Sequence, residues 1–570
     1  MVFHLGLVFS GLVPNLVSRP LHLMFVLPWV LIYGQRGVAL WTGGVLALAG
    51  CGAAIWVAVN HDALGDQYGF LEGDAQVAMA AILILVVLEA ARRAIGWPLP
   101  VVAAIALLYG LLGQHIPGRF GHSGTPIASF LGTFTISEGA LWGSLTAVSV
   151  NVVAIFVIFG AVLNAGEAGQ GFMNVASAAA GRLRGGAAKV SVLSSALFGS
   201  ISGSASANVA STGAVTLPAM EKLGYPKRIA AAVEAVASSG GQIMPPLMGA
   251  GAFVMVELTG VPYTGIMAAA ALPALLYFWA VWIGIDGYAR RFDLRALATE
   301  DRPAGRDVAI TSAFFLIPFS VLLLGMFVVG VTPQYAASLA IFAGVALLLT
   351  GRDLRLDLPR AARRFEAALI TAGRQVALIG SIIFCASLVI GVLGVTGLGV
   401  KITSLILSAS GGLLWPSLLL TAFACLVLGM EVPTTAAYVI CVSVAGPALI
   451  ELGMEPLQAH LFVFWYALLS TITPPVCGAV FIASGMIGEN WLRVALTAMA
   501  LGIGLYLIPL GMVAAPDVMA LATNLPGALL ATLKIGAGLF VISTGLIGGW
   551  PWFAKALTLV AGTALVVWPL

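Results

Sequence analysis

Two motifs between Phe198 and Pro246 decide the fold of this chain: the polar run SISGSASAN at residues 200–208 and the break SSGGQIMPP at residues 238–246. Both interrupt sequence that is otherwise apolar. A lipid bilayer offers no water to the backbone groups that such interruptions leave unpaired, so they persist only where protein or a wet cavity satisfies them. We therefore interpret the stretch as half of a transport site.

The composition indicates a polytopic membrane protein. The 570 residues are 60% hydrophobic and only 9% charged, with a mean hydropathy of +1.06, which leaves too little polar surface to coat a soluble globule. The net charge of +3 is small, and Lys and Arg fall in short clusters between apolar runs. Such clusters are typical of membrane topology signals and not of nucleic-acid binding.

The cysteines and histidines predict neither disulfides nor a metal centre. The five cysteines stand singly in apolar segments without a CxxC motif, and the six histidines are isolated and mostly near loops. We expect no cofactor and no proton relay through histidine. The apolar start, Met1 to Val13, lacks a basic beginning and an obvious cleavage site, so we expect an interfacial or first spanning segment and not a removed signal peptide.

Residues 1–120 are predicted to form a small four-helix membrane domain. Runs of about the length that crosses a bilayer fall at roughly Leu21–Tyr33, Val38–Val59, Gln76–Ala91 and Leu99–Gly113. Arg36 and the pair Arg92-Arg93 follow the first and third runs and are expected in the cytoplasm, whereas the loop with Asp62, Asp66, Glu72 and Asp74 faces out. Residues 121–140, within a stretch rich in Gly, Ser, Thr and Pro, are predicted to be a linker.

Residues 141–350 are predicted to contain a re-entrant hairpin with its tip at 200–212 and a broken helix at 229–258. Basic residues lie on both sides of the tip, so the segment is expected to enter and leave the membrane on the same side. In the broken helix, Gly240-Gly241 frees the backbone, and the Pro245-Pro246 pair removes two N–H groups, so a continuous helix would be badly weakened.

Residues 351–513 repeat this order. The polar tip GMEVPTT at residues 429–435 precedes a helix over residues 459–487 that is broken at STITPP, residues 470–475. The flanks are acidic where those of the first hairpin are basic, which predicts an inverted repeat. The sequence thus predicts an all-α polytopic membrane protein with two re-entrant hairpins and two broken helices, and additional membrane segments over residues 514–570.

Breaks of this kind predict a site for an anion and a small cation. A helix broken inside the membrane exposes N–H groups at one end, which suit a carboxylate, and carbonyls at the other, which suit a cation. Ser and Thr oxygens abound at both breaks while carboxylates are few, which favours Na⁺ over Mg²⁺ or Ca²⁺. Small residues also occur where membrane helices simply pack closely, but two patches that each precede a Pro-Pro break favour binding.

Two acidic residues lie near the breaks. Glu431, inside the second tip, is a functional candidate if the tip is intramembrane and ordinary if it lies at the surface. Glu234, one turn before the first break, is interpreted as a packing or polar-pocket residue and not as a proton carrier.

Several motifs together resemble a known family. They are LEAARRAIGWP at residues 88–98, SGSASANV at 202–209, GGQIMPP at 240–246, and PTTAAY at 433–438 with TPP at 473–475. Over nearly the whole chain the sequence resembles the fused permease of tripartite ATP-independent periplasmic (TRAP) transporters, most closely the TAXI type. The resemblance implies a small domain fused to an elevator-type domain, a separate TAXI-type periplasmic substrate-binding protein, and ion-driven import of organic acids across the bacterial inner membrane.

The resemblance also implies site residues. The predicted substrate-binding residues are Ser204, Ser206, Asn208, Pro245, Pro246, Pro433, Thr434, Thr435, Pro474 and Pro475. The predicted ligands of the coupling ion are Ser202, Gly203, Ser238, Ser239, Gly240, Gly429, Glu431, Ser470, Thr471 and Thr473. Glu431 and Cys477 stand where the family pattern leads us to expect small residues, which leaves Na⁺, the expected coupling ion, and H⁺ both open.

Other functions remain as alternatives. A stand-alone carboxylate symporter would share the hairpins but need no binding protein. A membrane enzyme is disfavoured because HExxH, GxSxG and paired intramembrane aspartates are missing from the sequence, and a channel because two broken-helix sites suit alternating access better. We expect an enclosing lipid membrane, no nucleic-acid partner and a monomer.

Overall fold

The computed structural model describes residues 1–430 and 433–569, and this part of the chain is helical without any β-strand. The predicted candidate Glu431 lies outside the described residues. The α-helices before the first hairpin are Val2–Phe9, Asn15–Leu31, Val38–Val59, His61–Gly65, Gly73–Ile95, Pro98–Leu112, Ile127–Thr135, Ser144–Val148, Ala154–Ala165 and Ala168–Ala180. The others outside the hairpins and broken helices are Tyr263–Arg291, Gly305–Leu324, Pro333–Leu348, Leu358–Thr396, Leu398–Ala409, Trp491–Leu501, Ile508–Ala514, Leu525–Ile547 and Trp552–Val567.

Nine helical segments in the described chain are long and apolar enough to cross a membrane, which confirms the polytopic class. They are Val38–Val59, Gly73–Ile95, Pro98–His115, Ser144–Ala165, Tyr263–Arg291, Thr299–Val329, Leu358–Thr396, Thr434–Glu451 and Leu525–Ile547.

Two short hairpins and two interrupted helices occupy the predicted positions. We call Gly186–Ser202 with Ala205–Lys222 the first hairpin, and Leu414–Leu428 with Thr434–Glu451 the second hairpin. The first broken helix consists of Lys227–Gly240 and Gly249–Thr259, and the second of Pro456–Leu469 and Gly478–Ile487. In both broken helices a 3₁₀ turn precedes the Pro-Pro pair, at Gly241–Ile243 and Ser470–Ile472.

The two halves are in constant register through this region. The helices that begin at Ala205, Lys227 and Gly249 have counterparts that begin 229 residues later, at Thr434, Pro456 and Gly478. The first two pairs also match in length, with 18 and 14 residues. This register supports the internal repeat that the order of motifs predicts.

The structure differs from the sequence prediction in the last span of the second half. The apolar run Val494–Val513, whose length predicts one continuous span, forms two helices, Trp491–Leu501 and one from Ile503 to Ala514, bent by 64°. Gly502 lies at the bend. The second broken helix takes up carbonyls there: Trp465 Nε1 donates to Leu505 O at 3.0 Å and the Tyr466 hydroxyl donates to Tyr506 O at 2.6 Å.

The predicted linker at residues 121–140 contains a packed helix, Ile127–Thr135. Phe130 and Phe134 on this helix are buried. The burial of two large apolar side chains favours an ordered helix at this position.

A 39-residue helix, Leu358–Thr396, organises the packing of the N-terminal half. Asn15–Leu31, Gly73–Ile95, Pro98–Leu112 and Ala154–Ala165 pack around it. The two arms of the first hairpin and Lys227–Gly240 pack against one another, and Tyr263–Arg291 packs against Gly186–Ser202 and Lys227–Gly240. Leu525–Ile547 packs against Tyr263–Arg291 and is covered in turn by Trp552–Val567.

Candidate functional site

A cavity of about 530 Å³ lies where the two hairpin tips meet. The first tip contributes Ile201 to Ala207, and the second contributes Gly429 with Pro433 to Thr435. Another part of the wall comes from Leu358–Thr396 itself and from helices that pack on it, through Ala94, Ile95, Val153, Phe156, Val157, Gln375, Leu378, Ile379 and Ile382.

Four helices begin at this cavity. Their first residues all line the cavity: Ala205, Gly249, Thr434 and Gly478. Ala205 and Thr434 begin the second arms of the two hairpins, and Gly249 and Gly478 begin the second halves of the two broken helices. The first turn of a helix exposes unpaired N–H groups with roughly half a positive charge. Because the described cavity wall contains no charged side chain, the helix ends set the electrostatics of the cavity. The four N-termini favour an anion, whereas the helix C-termini at Ser202 and Gly429 present carbonyls that suit a cation.

Glycine allows two of these helix ends to approach each other. Gly203 has φ +60°, and a Cβ added to it would lie 2.8 Å from the Cα of Gly249. Any side chain at either position would therefore separate the first tip from the second half of the first broken helix. Ser204 caps its own helix by accepting a hydrogen bond from Ala207 N at 3.3 Å.

The predicted substrate-binding residues divide into two groups. Ser204, Ser206, Pro433, Thr434 and Thr435 line the cavity. The others, Asn208, Pro245, Pro246, Pro474 and Pro475, lie outside its lining. Asn208 is fully buried, and its amide donates to Ser195 O at 2.9 Å and to Ser238 O at 3.2 Å. Its geometry ties the hairpin arms to the broken helix.

The proline pair of the first break positions the chain and does not line the cavity. The Tyr263 hydroxyl donates to the carbonyls of Pro246 and Leu247, at 2.5 and 2.8 Å. These carbonyls follow the interruption and would otherwise be unpaired in a buried environment.

The predicted ion ligands divide in the same way. Ser202, Gly203, Gly429 and Thr471 line the cavity, whereas Ser238, Ser239, Gly240, Ser470 and Thr473 lie behind it.

At the second break, the hydroxyls hold the carbonyls at the end of Pro456–Leu469. Thr471 and Thr473 donate to Leu468 O and Leu469 O, both at 2.7 Å, and Ser470 lies 3.0 Å from Gly429 O. A hydroxyl that donates its hydrogen in this way keeps lone pairs that can serve a cation. Across the described chain no three His, Cys, Asp or Glu residues cluster in a way that could hold a metal ion, so hydroxyl, amide and carbonyl oxygens are the ligands that these breaks offer.

Gln242 joins the two tips, a role that its position in the GGQIMPP motif did not reveal. With its amide oriented to satisfy both neighbours, it donates to Thr434 Oγ1 at 2.9 Å and to Gly203 O at 3.2 Å, and accepts from Ala205 N at 3.1 Å. It is 2% exposed. The only sequence signal was its place as the one amide in the first break.

Glu234 is the centre of a buried hydroxyl cluster. Its carboxyl lies 2.7 Å from Ser191 Oγ, 2.5 Å from Thr216 Oγ1 and 3.2 Å from Ser238 Oγ, and it also accepts from Thr212. These hydroxyls come from both arms of the first hairpin and from the first broken helix. The interpretation as a polar pocket fits this arrangement, which links three helices through one side chain.

Comparison with known proteins defines the class. The family model described as "Tripartite ATP-independent periplasmic transporter, DctM component" matches residues 82–528. The chain belongs to this family. It is therefore a transporter permease component and not an enzyme, and it is a multi-pass protein of the inner membrane.

Individual relatives are distant in sequence. The chain is 26% identical over 340 residues to the C4-dicarboxylate TRAP transporter large permease protein DctM of Pseudomonas aeruginosa, covering 59% of this chain and 77% of that protein. It is 25% identical over 424 residues to the isethionate TRAP transporter permease protein DctMQ of Oleidesulfovibrio alaskensis, covering 72% and 64%. It is 24% identical over 347 residues to the ectoine/5-hydroxyectoine large permease protein UehC of Ruegeria pomeroyi, covering 59% and 76%.

Proposed function

We propose that this chain imports a small organic acid across the inner membrane, driven by an ion gradient. The observation that carries the proposal is the cavity at the two tips, where four helix N-termini meet and the described wall has no charged side chain. Such a cavity attracts a carboxylate without the cost of removing a charged side chain from water. The family relatives whose names specify C4-dicarboxylates and isethionate are consistent with an anionic solute.

The hairpins and broken helices move as one body in this proposal. The cavity has one wall from the tips and one from the helices around Leu358–Thr396. Ala94 and Ile95 on the second wall directly follow Arg92-Arg93, whose charge predicts a cytoplasmic position. A displacement of the tips along this wall, as in an elevator, would carry the cavity toward the opposite side of the membrane.

The chain receives its solute from a periplasmic substrate-binding protein of the TAXI type, and its residues 1–120 act as a fused small permease domain. The family description names a tripartite periplasmic transporter, and the family match begins only at residue 82. The isethionate relative, whose name joins the M and Q components, provides a precedent for fusion.

Na⁺ is the proposed coupling ion, with H⁺ as the alternative. Apart from the Glu234 carboxyl, which lies 3.2 Å from Ser238 Oγ, the oxygens behind the tips are hydroxyls and carbonyls, which suit a monovalent hard cation. Ser239 Oγ and Thr471 Oγ1 lie 2.9 Å apart, so the oxygen-rich ends of the two breaks are in contact.

Uptake into proteoliposomes tests the proposal. Radiolabelled C4-dicarboxylates, isethionate and ectoine are offered with and without a substrate-binding protein purified from the host periplasm, under separately imposed Na⁺ and pH gradients. We expect an anionic solute to accumulate only with the binding protein and an inward Na⁺ gradient. Accumulation without the binding protein would favour a stand-alone symporter, and single-channel currents would favour a channel.

Two variants address the site itself. Ser204→Leu fills the cavity, and Pro245→Ala removes the constraint on the first break, so each is expected to abolish uptake while expression is retained. Ser408→Leu is the matched control, because Ser408 is exposed on Leu398–Ala409 away from the cavity. Wild-type uptake by both site variants would contradict the proposed site.

A further inference from the structure

We propose that the segment Asn60 to Asp74, which we call the docking loop, is a contact surface for the soluble periplasmic component of the transporter. This inference rests on the proposed function. The loop contains the short helix His61–Gly65 and leads into Gly73–Ile95. It lies before residue 82, where the family match begins, and the charge pattern of the sequence predicts that it faces the periplasm.

Two aromatic side chains of the docking loop are exposed. Tyr68 is 93% exposed and Phe70 is 52% exposed. Aromatic residues contribute much of the energy of protein interfaces because they bury large area with few rotatable bonds. Two of them, two residues apart on one loop, provide an apolar anchor for a partner.

The loop is fixed against the rest of the protein. Leu64 and Leu71 are buried, and Leu71 N donates to Ala128 O at 3.3 Å. A Cβ added to Gly132 would lie 2.2 Å from Gly69 O, so the loop and the helix Ile127–Thr135 are in direct backbone contact. A surface that is already ordered loses little conformational entropy when a partner binds.

The charge around the aromatic pair indicates the chemistry of the partner. The carboxylates of Asp62, Asp66, Glu72 and Asp74 are exposed around it. Among the described residues, the one contact of these carboxylates with a basic side chain is that of Asp62 Oδ1 with His61 Nε2 at 3.3 Å, and the sequence has no Lys or Arg from Gly37 to Ala91. The surface therefore fits a protein face with an apolar pocket and a basic rim, since complementary charge steers partners together and selects among them.

A membrane surface is the competing occupant, because exposed aromatic side chains also gather where lipid meets water. Four carboxylates beside the aromatic pair oppose that arrangement, since anionic headgroups attract basic segments and repel acidic ones. The charge thus favours a soluble protein.

Site-specific photocrosslinking in living host cells tests the docking loop. A benzophenone amino acid replaces Tyr68 or Phe70 in the full-length chain, and the adducts are identified by mass spectrometry. The control position is Trp97, an exposed aromatic residue that the charge pattern predicts to be cytoplasmic. We expect adducts at both loop positions with a periplasmic substrate-binding protein, and none at Trp97.

Charge reversal separates a true docking surface from chance proximity. Replacing the four acidic residues by Lys should lower the adduct yield roughly tenfold, because several exposed ion pairs are lost together. Raised salt should weaken the wild-type adduct in the same direction. Size-exclusion profiles and helical circular dichroism of the detergent-purified variant check that it is folded.

Three results would overturn the inference: adducts with lipid only, adducts with a second copy of this chain only, or a yield that is unchanged by charge reversal in a folded protein. Uptake measured in the same cells keeps the two proposals distinct. Binding-protein-dependent uptake without loop adducts would overturn the docking loop alone, whereas uptake that needs no binding protein would overturn that part of the proposed function.

Discussion

Ser239 Oγ and Thr471 Oγ1 lie 2.9 Å apart, so a hydroxyl of the first break contacts a hydroxyl of the second across 232 residues of sequence. Ser239 is fully buried, and Thr471 lines the cavity between the tips. The contact gives a direct physical link between the two repeats, and it can be measured.

A double-mutant cycle on this pair should reveal coupling. Ser239→Ala and Thr471→Ala each remove one partner of a hydrogen bond, so the loss in unfolding free energy of the double variant should be smaller than the sum of the single losses by about 1 kcal/mol. Thermal unfolding in detergent measures the four proteins. Strict additivity would show that the hydroxyls do not interact.

Gln242→Leu should uncouple the two tips. The substitution leaves Thr434 Oγ1, Gly203 O and Ala205 N without their shared amide, at a cost of about 1–3 kcal/mol for unsatisfied buried groups. We expect solute uptake in proteoliposomes to fall roughly tenfold, since each 1.4 kcal/mol corresponds to about tenfold in an equilibrium.

The control is Gln458→Leu. Gln458 is also buried, and its amide donates to Met512 O at 2.9 Å, away from the cavity. Equal losses of uptake in the two variants would assign the effect to general destabilisation and contradict a specific role for Gln242.

Glu234→Ala should destabilise the first hairpin and the first broken helix together. The change removes the acceptor that four hydroxyls share, and several buried donors left unpaired cost about 1–3 kcal/mol each. We expect a lower unfolding midpoint in detergent for Glu234→Ala and a smaller decrease for Glu234→Gln, which retains an acceptor oxygen. Glu257 is exposed on the second half of the same broken helix. Glu257→Ala should therefore leave the unfolding free energy within about 0.5 kcal/mol of the wild-type value.

The C-terminal helices Leu525–Ile547 and Trp552–Val567 are predicted to travel with the hairpins. Their packing runs through Tyr263–Arg291, and a Cβ added to Gly287 would lie 3.2 Å from Ile547 Cβ. In a background where the five native cysteines are replaced, a Gly287→Cys and Ile547→Cys pair should crosslink and still permit uptake, because both residues belong to one moving body.

A second cysteine pair provides the contrast. A Cβ added to Gly160, on the helix Ala154–Ala165 that contributes Phe156 and Val157 to the cavity wall, would lie 2.9 Å from Ile201 Cγ2 in the first tip. Crosslinking Gly160→Cys to Ile201→Cys should stop uptake until a reductant is added. If the crosslink between positions 287 and 547 inhibits uptake, the C-terminal helices belong to the part of the protein that does not move. If uptake continues while positions 160 and 201 are crosslinked, the first tip does not move relative to Ala154–Ala165, which would contradict the proposed mechanism.

The positions of the hairpins and broken helices could be predicted from the sequence because their signals are local. Pro245-Pro246 and Pro474-Pro475 exclude continuous helices, and the polar tips are conspicuous in apolar surroundings. The bend at Gly502 could not be predicted, since the aromatic residues that take up the carbonyls of Leu505 and Tyr506 come from the second broken helix. The start of Leu358–Thr396 could not be predicted, because the Arg residues in its first turns are equally typical of a cytoplasmic loop.

The cavity could be predicted only in part. Ser204, Ser206 and Thr434 belong to the polar tips, and the resemblance to the TRAP family implies them as site residues. Gln242 and Glu234 depend on contacts between segments that are distant in the chain, and a single amide or carboxyl in a helix gives no sign of which neighbours it will meet. The apolar wall around Leu378 and Ile382 was hidden because its residues resemble any lipid-facing helix.

The four helix N-termini at the cavity have a further consequence for selectivity. Backbone amides do not titrate, and substitution of a side chain does not remove them, so in the proposed function the preference for negative charge is a property of the backbone path. The discrimination between one anion and another must then come from side chains such as Ser204, Thr435 and Gln375, which can vary without disturbing that preference. In a permease built in this way, a few side-chain substitutions in the cavity can change which solute is transported while the helix N-termini stay in place.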